Sequence, residues 1–139
     1  MSNYHLAILK QPYLNAILDG SKVVESRLTR TRREPFGGIG VGDKIFFKVS
    51  SGAVCAVGTV ADVKSFSNLT PAKVVGLKEE YNHLVLGGDD YWLSKADSRF
   101  AVFVWLKDVY PIEPILISKK DWRAWVVLTE KQNFGLLGG

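Results

Sequence analysis

A chain of 139 residues, 47% hydrophobic and 23% charged, has the size and composition of one folded domain, residues 1–139, that buries a core without disulfide or metal staples. Lys and Arg exceed Asp and Glu by 18 to 14, giving a net charge of +4 and a pI near 9.2, which suits an anionic partner such as RNA or a nucleotide without requiring one. A single cysteine, Cys55, excludes an intrachain disulfide and a multi-cysteine zinc centre, and His5 and His83 alone argue against a histidine-rich metal site, so neither metal nor cofactor is expected.

Leu6-Ala7-Ile8-Leu9 reads as a buried strand within Tyr4 to Lys10. Pro12 suits a helix's first turn, and Tyr13, Leu14, Ile17 and Leu18 share one helical face. Gly20 ends that helix, since glycine adopts the left-handed conformation cheaply.

A second strand follows from Lys22 to Thr29, and it carries three ionisable groups close together. Strand alternation puts Glu25 and Arg27 on one face with Val23 and Thr29, and Val24, Ser26 and Leu28 on the other. Read from the residues alone, this is either an ion pair on an exposed strand face or the lining of a site.

From Arg30 to Gly42 a basic start gives way to glycines, the pattern of a long mobile loop. The Gly-Lys-Ser/Thr ending of a phosphate-cradling loop is absent and no helix pattern follows. Arg27, Arg30, Arg32 and Arg33 are instead candidates for direct contacts to backbone phosphates, or simply form a solvated basic loop.

Lys44–Val49 and Ala53–Phe66 read as a hairpin, with Gly58 permitting a bend and Cys55 in the core. Thr70-Pro71 opens a helix, and Asp89 is expected to cap a second short one through Tyr91, Trp92 and Ala96. Phe100–Leu106 has the strongest strand composition and is expected to be central. Pro111 and Pro114 flank an expected bend, Ser118–Asp121 resembles a capped turn, and Trp122–Leu128 is the closing strand. Residues from about 130 to 139 are expected to form a flexible tail. No apolar run approaches bilayer length, and the start Met-Ser-Asn-Tyr-His-Leu lacks a leader pattern, so a cytoplasmic setting without a membrane partner is expected. No oligomeric interface is legible.

Lys10, Pro12, Ile17-Leu18, Gly20, Lys22, Glu25 and Arg27, followed by Gly42-Asp43-Lys44-Ile45 at a strand start, resemble the signature of ASCH domains. The resemblance implies an α+β fold, a PUA-like β-barrel of about six strands with surrounding helices. It also implies binding of RNA or a modified nucleoside or nucleotide in a cleft lined by the Lys-Glu-Arg motif. Lys22, Glu25, Ser26, Arg27, Arg30, Arg32, Arg33 and Lys48 are then the candidate nucleic-acid-binding residues. Tyr13, Phe36, Trp92 and Trp122 are candidates to stack on a base, or else belong to the core.

One branch of this family hydrolyses acetylcytidine with a lysine, a threonine three residues later and a distant glutamate. Lys22 matches the lysine, but Glu25 stands where the threonine would be, and neither Glu79 nor Glu80 aligns with the distant acid. Two readings follow. The first is a binding module. The second is a small hydrolase of RNA or an acylated nucleoside, with Glu25 as general base and Lys22 as its catalytic electrostatic partner.

Overall fold

Apolar residues at alternate strand positions dictate one curled sheet with helices packed on both of its faces. The computed structural model describes residues 3–119 and 123–138. In chain order the elements are β1 (Tyr4–Leu9), α1 (Gln11–Leu18), β2 (Val24–Thr29), β3 (Lys44–Val49), β4 (Val54–Phe66), α2 (Pro71–Val85), α3 (Asp89–Ser94), β5 (Phe100–Ile115) and β6 (Trp125–Leu128). The six strands form a single sheet in the order β2-β5-β4-β3-β1-β6. Only β1 and β3 pair in parallel; the other neighbours are antiparallel.

Ala7, Leu9, Ile45, Phe47, Ala56, Val60, Val102, Val104 and Trp125 line the inner face, and α1 closes over them with Leu14 and Ile17. A second cluster joins Val24, Leu28, Ala101 and Phe103 to Val74, Leu77, Tyr81 and Val85 of α2 and Trp92 of α3. Each fully buried aliphatic or aromatic side chain in these clusters contributes about 1.5–3 kcal/mol relative to exposure. Leu6, Val54, Val126 and Leu128 make a third cluster, against which Phe134, Leu136 and Leu137 pack.

The expected α+β arrangement of six strands and helices is present. The sheet is curled rather than closed by a ladder: among the described residues none joins the edges β2 and β6. β5 is central, between β2 and β4, as its composition predicts.

Four local expectations change. β5 continues as one strand through Pro111 and Pro114, its register against β4 shifting between Pro111 and Ile115, because β2 pairs only with Phe100–Trp105 and the far half needs N–H donors on one side alone. The N-cap of α3 is Gly88, which places Asp89 in the first helical turn. Gly58 serves close approach as well as bending: a Cβ there would lie 3.0 Å from Val109 Cγ2 and 3.1 Å from Phe47 Cε2. The loop from Arg30 to Gly42 is tied down, with Glu34 accepting from Val127 N at 2.9 Å and the Phe36 ring edge-on to Phe100 at 5.2 Å. Trp122, the first residue expected in the closing strand, and Lys120 and Asp121 of the preceding capped turn lie outside the described residues. No described helix is long and apolar enough to cross a membrane.

Candidate functional site

The end of α1 aims Lys22 inward. Gly20 takes a φ of +85°, reversing the chain. Ser21 then donates through its backbone N and its hydroxyl to the Asp19 carboxylate, at 2.8 and 2.6 Å. Lys22 N donates to Ala16 O at 3.0 Å, fixing the backbone from which the buried Lys22 side chain projects. Strand β2 starts only at Val24 because Lys22 and Val23 are engaged with α2: Val23 N donates to Leu84 O at 3.2 Å.

Lys22 is 2% exposed. Its ammonium donates to Val24 O at 2.8 Å and to Val85 O, and it lies 3.5 Å from Glu25 Oε1. Val85 is the last residue of α2, where carbonyls lack helical partners and the helix dipole favours a cation, so Lys22 caps that helix. Burial lowers the Lys22 pKa, with Arg27 acting in the same direction and the Glu25 charge opposing.

Glu25 holds the centre. Its Oε1 accepts from Ser26 N at 3.0 Å and its Oε2 from Arg27 Nη2 at 3.0 Å. Arg27, 16% exposed, extends across the open side of the curl, donating to Ile8 O at 3.0 Å and to Ala124 O at 3.3 Å. Its guanidinium lies 5.1 Å from the Trp125 ring centre. One side chain thus links the edge strand β2 to the opposite side of the sheet where no ladder does. Arg27 Nε is buried without a partner in the structure.

Ser26 faces the other way, as alternation predicts, and its hydroxyl meets Tyr91 Oη at 2.8 Å. Burial pushes the Tyr91 phenol up to about 12. Lys95 lies 5.7 Å from the Tyr91 ring, and burial, helped by the Arg27 charge, lowers its pKa. Lys22 lies 5.5 Å from the Tyr13 ring.

The structure therefore brings Lys22, Glu25 and Arg27 together and leaves the other predicted cations apart. Arg30 pairs with Asp97 at 3.2 Å, both well exposed. Arg32 covers Phe36 at 4.9 Å, and Arg33 donates to Thr31 Oγ1 at 3.0 Å. Lys48 is on the opposite face of the sheet: it pairs in register with Ile8 and donates to Val49 O at 3.1 Å. Glu79 and Glu80 are exposed on α2. Of the expected stacking residues, Trp92 is core, Phe36 packs inward, Tyr13 borders the cluster and Trp122 lies outside the described residues.

Sequence reasoning missed Tyr91 and Trp125 at this site, because both arrive through tertiary pairing and neither is near β2 in sequence. It also missed a buried relay beneath Trp125: Trp125 Nε1 donates to His5 Nδ1 at 3.0 Å, and His5 Nε2 meets Asp43 Oδ2 at 2.8 Å. Cys55 is half-buried and free, and burial raises its pKa. Among the described residues, no cluster of three or more His, Cys, Asp or Glu is arranged to hold a metal ion. Two surface cavities of about 470 Å³ lie elsewhere, one beside Arg30 and Arg99, the other along Gly37–Val41.

The curled six-stranded sheet with its three helices has the α+β, PUA-like fold. The ASCH domain profile matches residues 8–127, and the chain belongs to that family. Among solved structures it is similar to ASCH from Zymomonas mobilis, with a TM-score of 0.73 and 17% identity over 96% of this chain and 93% of that one. A serine-to-alanine variant of that protein gives a TM-score of 0.72 at 16% identity, covering 96% and 94%. The N-terminal domain of Staphylothermus marinus McrB is similar over 83% of this chain and 77% of that one, with a TM-score of 0.50 and 14% identity. Comparison with curated proteins gives no match.

Proposed function

We propose that this protein binds single-stranded RNA, or a modified nucleoside, at the surface around Lys22, Glu25 and Arg27. The supporting observation is the cluster itself: a carboxylate held between two cations and bordered by aromatic rings, in a chain of the ASCH family. Such a cluster is costly to bury unless it is paired, and the pairing here gives it a fixed geometry. Fixed donors beside aromatic edges suit a splayed-out base and its phosphate.

The residues divide the work unequally. The Lys22 ammonium has three donors, and Val24 O, Val85 O and Glu25 face all of them. Lys22 therefore holds Glu25 and α2 in register, and Arg27 is the cation that meets the ligand. Arg30, Arg32 and Arg33 supply long-range attraction to phosphate from the adjoining loop. Lys48, on the far face, contributes only to the overall field. A reducing, cytoplasmic setting accords with the single free cysteine.

The geometry favours binding over hydrolysis. A general base needs a lone pair turned toward water or substrate, and Glu25 is buried, its Oε1 accepting from Ser26 N and facing Lys22 at 3.5 Å and its Oε2 accepting from Arg27. To test the reading, labelled single-stranded RNA is titrated with wild-type protein and with Glu25→Gln, and the same RNA is checked for cleavage. Saturable binding, weakened in the variant and without turnover, is expected. Intact wild-type protein that cleaves RNA, with cleavage lost in Glu25→Gln, would favour the hydrolase reading.

A further inference from the structure

Three buried side chains run from the far end of the curl to the Arg27 guanidinium, and their donor and acceptor roles are fixed by chemistry. Indole Nε1 is a donor only, so His5 Nδ1, 3.0 Å away, must carry the lone pair. The ring proton is therefore on Nε2, donated to Asp43 Oδ2 at 2.8 Å. Asp43 is locked in turn: its Oδ1 accepts from Asn3 N at 2.9 Å and its Oδ2 from Gly40 N at 3.0 Å. His5 is fully buried, and Trp125 and Asp43 are nearly so.

The other end of the relay is Arg27. Its guanidinium lies over the Trp125 ring, and its Nη1 donates to the carbonyl of Ala124, the residue before Trp125. Holding the indole thus holds two of the contacts that orient the cation. We propose that His5 is a positioning residue for the Arg27 site and an acid-sensitive latch on it: neutral His5 anchors Trp125, and protonated His5 releases it. The inference rests on the RNA-binding reading above and specifies how that site is regulated.

The latch has a definite sense. A proton added at Nδ1 opposes two N–H groups and breaks the bond to Trp125. The charged groups near His5 are the carboxylates of Asp43, in the turn before β3, and Glu34, in the loop after β2; Arg27 lies beyond the indole. Both carboxylates attract a proton to the ring, yet burial outweighs them and keeps it neutral near pH 7. Acidification ordinarily strengthens nucleic-acid binding, because the protein gains positive charge. The latch predicts the reverse.

Two readouts test it on the 139-residue chain. By NMR, the His5 nitrogens in wild type are expected to report the Nε2–H form near neutral pH. The Trp125 indole N–H signal, assigned by its loss in Trp125→Phe, should move with the His5 titration as pH falls. Separately, affinity for a single-stranded RNA oligomer is expected to fall about tenfold between pH 7.5 and roughly pH 5, while circular dichroism stays native. His5→Gln offers a donor and an acceptor without titrating in this range. It is expected to bind about threefold more weakly at neutral pH and to lose the acid-induced decline. A Trp125 signal that ignores the His5 titration, or wild-type RNA affinity that rises with acid as it does in His5→Gln, overturns the latch. Wild-type protein that binds no RNA at neutral pH overturns the functional reading instead, and the NMR titration then decides the latch alone.

Discussion

Lys22 caps the C-terminus of α2 through Val85 O while its ammonium stays 3.5 Å from the Glu25 carboxylate. One buried charge therefore ends a helix and anchors the centre of the candidate site, so stability and binding geometry are coupled. Replacing it with Met keeps the volume but leaves Glu25 with one cation and Val85 O without its donor. Lys22→Met is expected to cost about 3 kcal/mol or more, read from urea denaturation. In a double-mutant cycle with Glu25→Gln, the combined loss should be smaller than the sum.

Arg27→Lys preserves the charge and removes the planar fork that spans Ile8 O, Ala124 O and Glu25. We expect roughly tenfold weaker RNA binding, about 1.4 kcal/mol, measured by fluorescence anisotropy at fixed salt. An unchanged affinity would mean that charge alone matters at this position.

Tyr91→Phe removes the partner of the nearly buried Ser26 hydroxyl. A stability loss of about 1 kcal/mol is expected from thermal or urea unfolding. Gly58→Ala tests packing between strands instead, since its Cβ would press on Val109 and Phe47; about 1–3 kcal/mol is expected.

The pH dependence of stability follows from His5. Its folded pKa is below 6.5 because burial outweighs the attraction of Asp43 and Glu34. In the unfolded chain the imidazole takes its proton near 6.5, whereas in the fold it does so only at lower pH. Between those values the unfolded state binds more protons, so stability is full above 6.5 and falls as the pH drops toward the folded value. Asp43 adds to the loss at still lower pH: burial opposes its ionisation, but the bonds from His5, Asn3 and Gly40 prevail and hold its carboxyl below 3.8. Urea midpoints measured across this range should decline for wild type, and less steeply in His5→Gln.

Much of this was readable in the residues. Period-2 and helical spacing, Gly20 and Thr70-Pro71 located the elements, and the alternation in β2 correctly separated Glu25 and Arg27 from Ser26. The missed features depend on pairing between distant segments. Pro111 and Pro114 read as flanking a bend, and sequence does not disclose that both lie within β5, whose edge beyond Trp105 is left free by β2. Nothing local to Lys22 announces Val85 as its partner, 63 positions away, and nothing local to His5 announces Trp125. Lys48 looked equivalent to the other cations until sheet register assigned it to the opposite face.

The central claim is that the Arg27 side of the buried cluster binds RNA, and titrating a single-stranded RNA oligomer at several salt concentrations tests it most directly. Wild-type affinity is expected to fall steadily as salt rises, and Arg27→Ala, with native circular dichroism, to bind about tenfold or more weakly at every concentration. Absence of RNA binding by wild-type protein at low salt, or identical titrations for the two proteins, would contradict it.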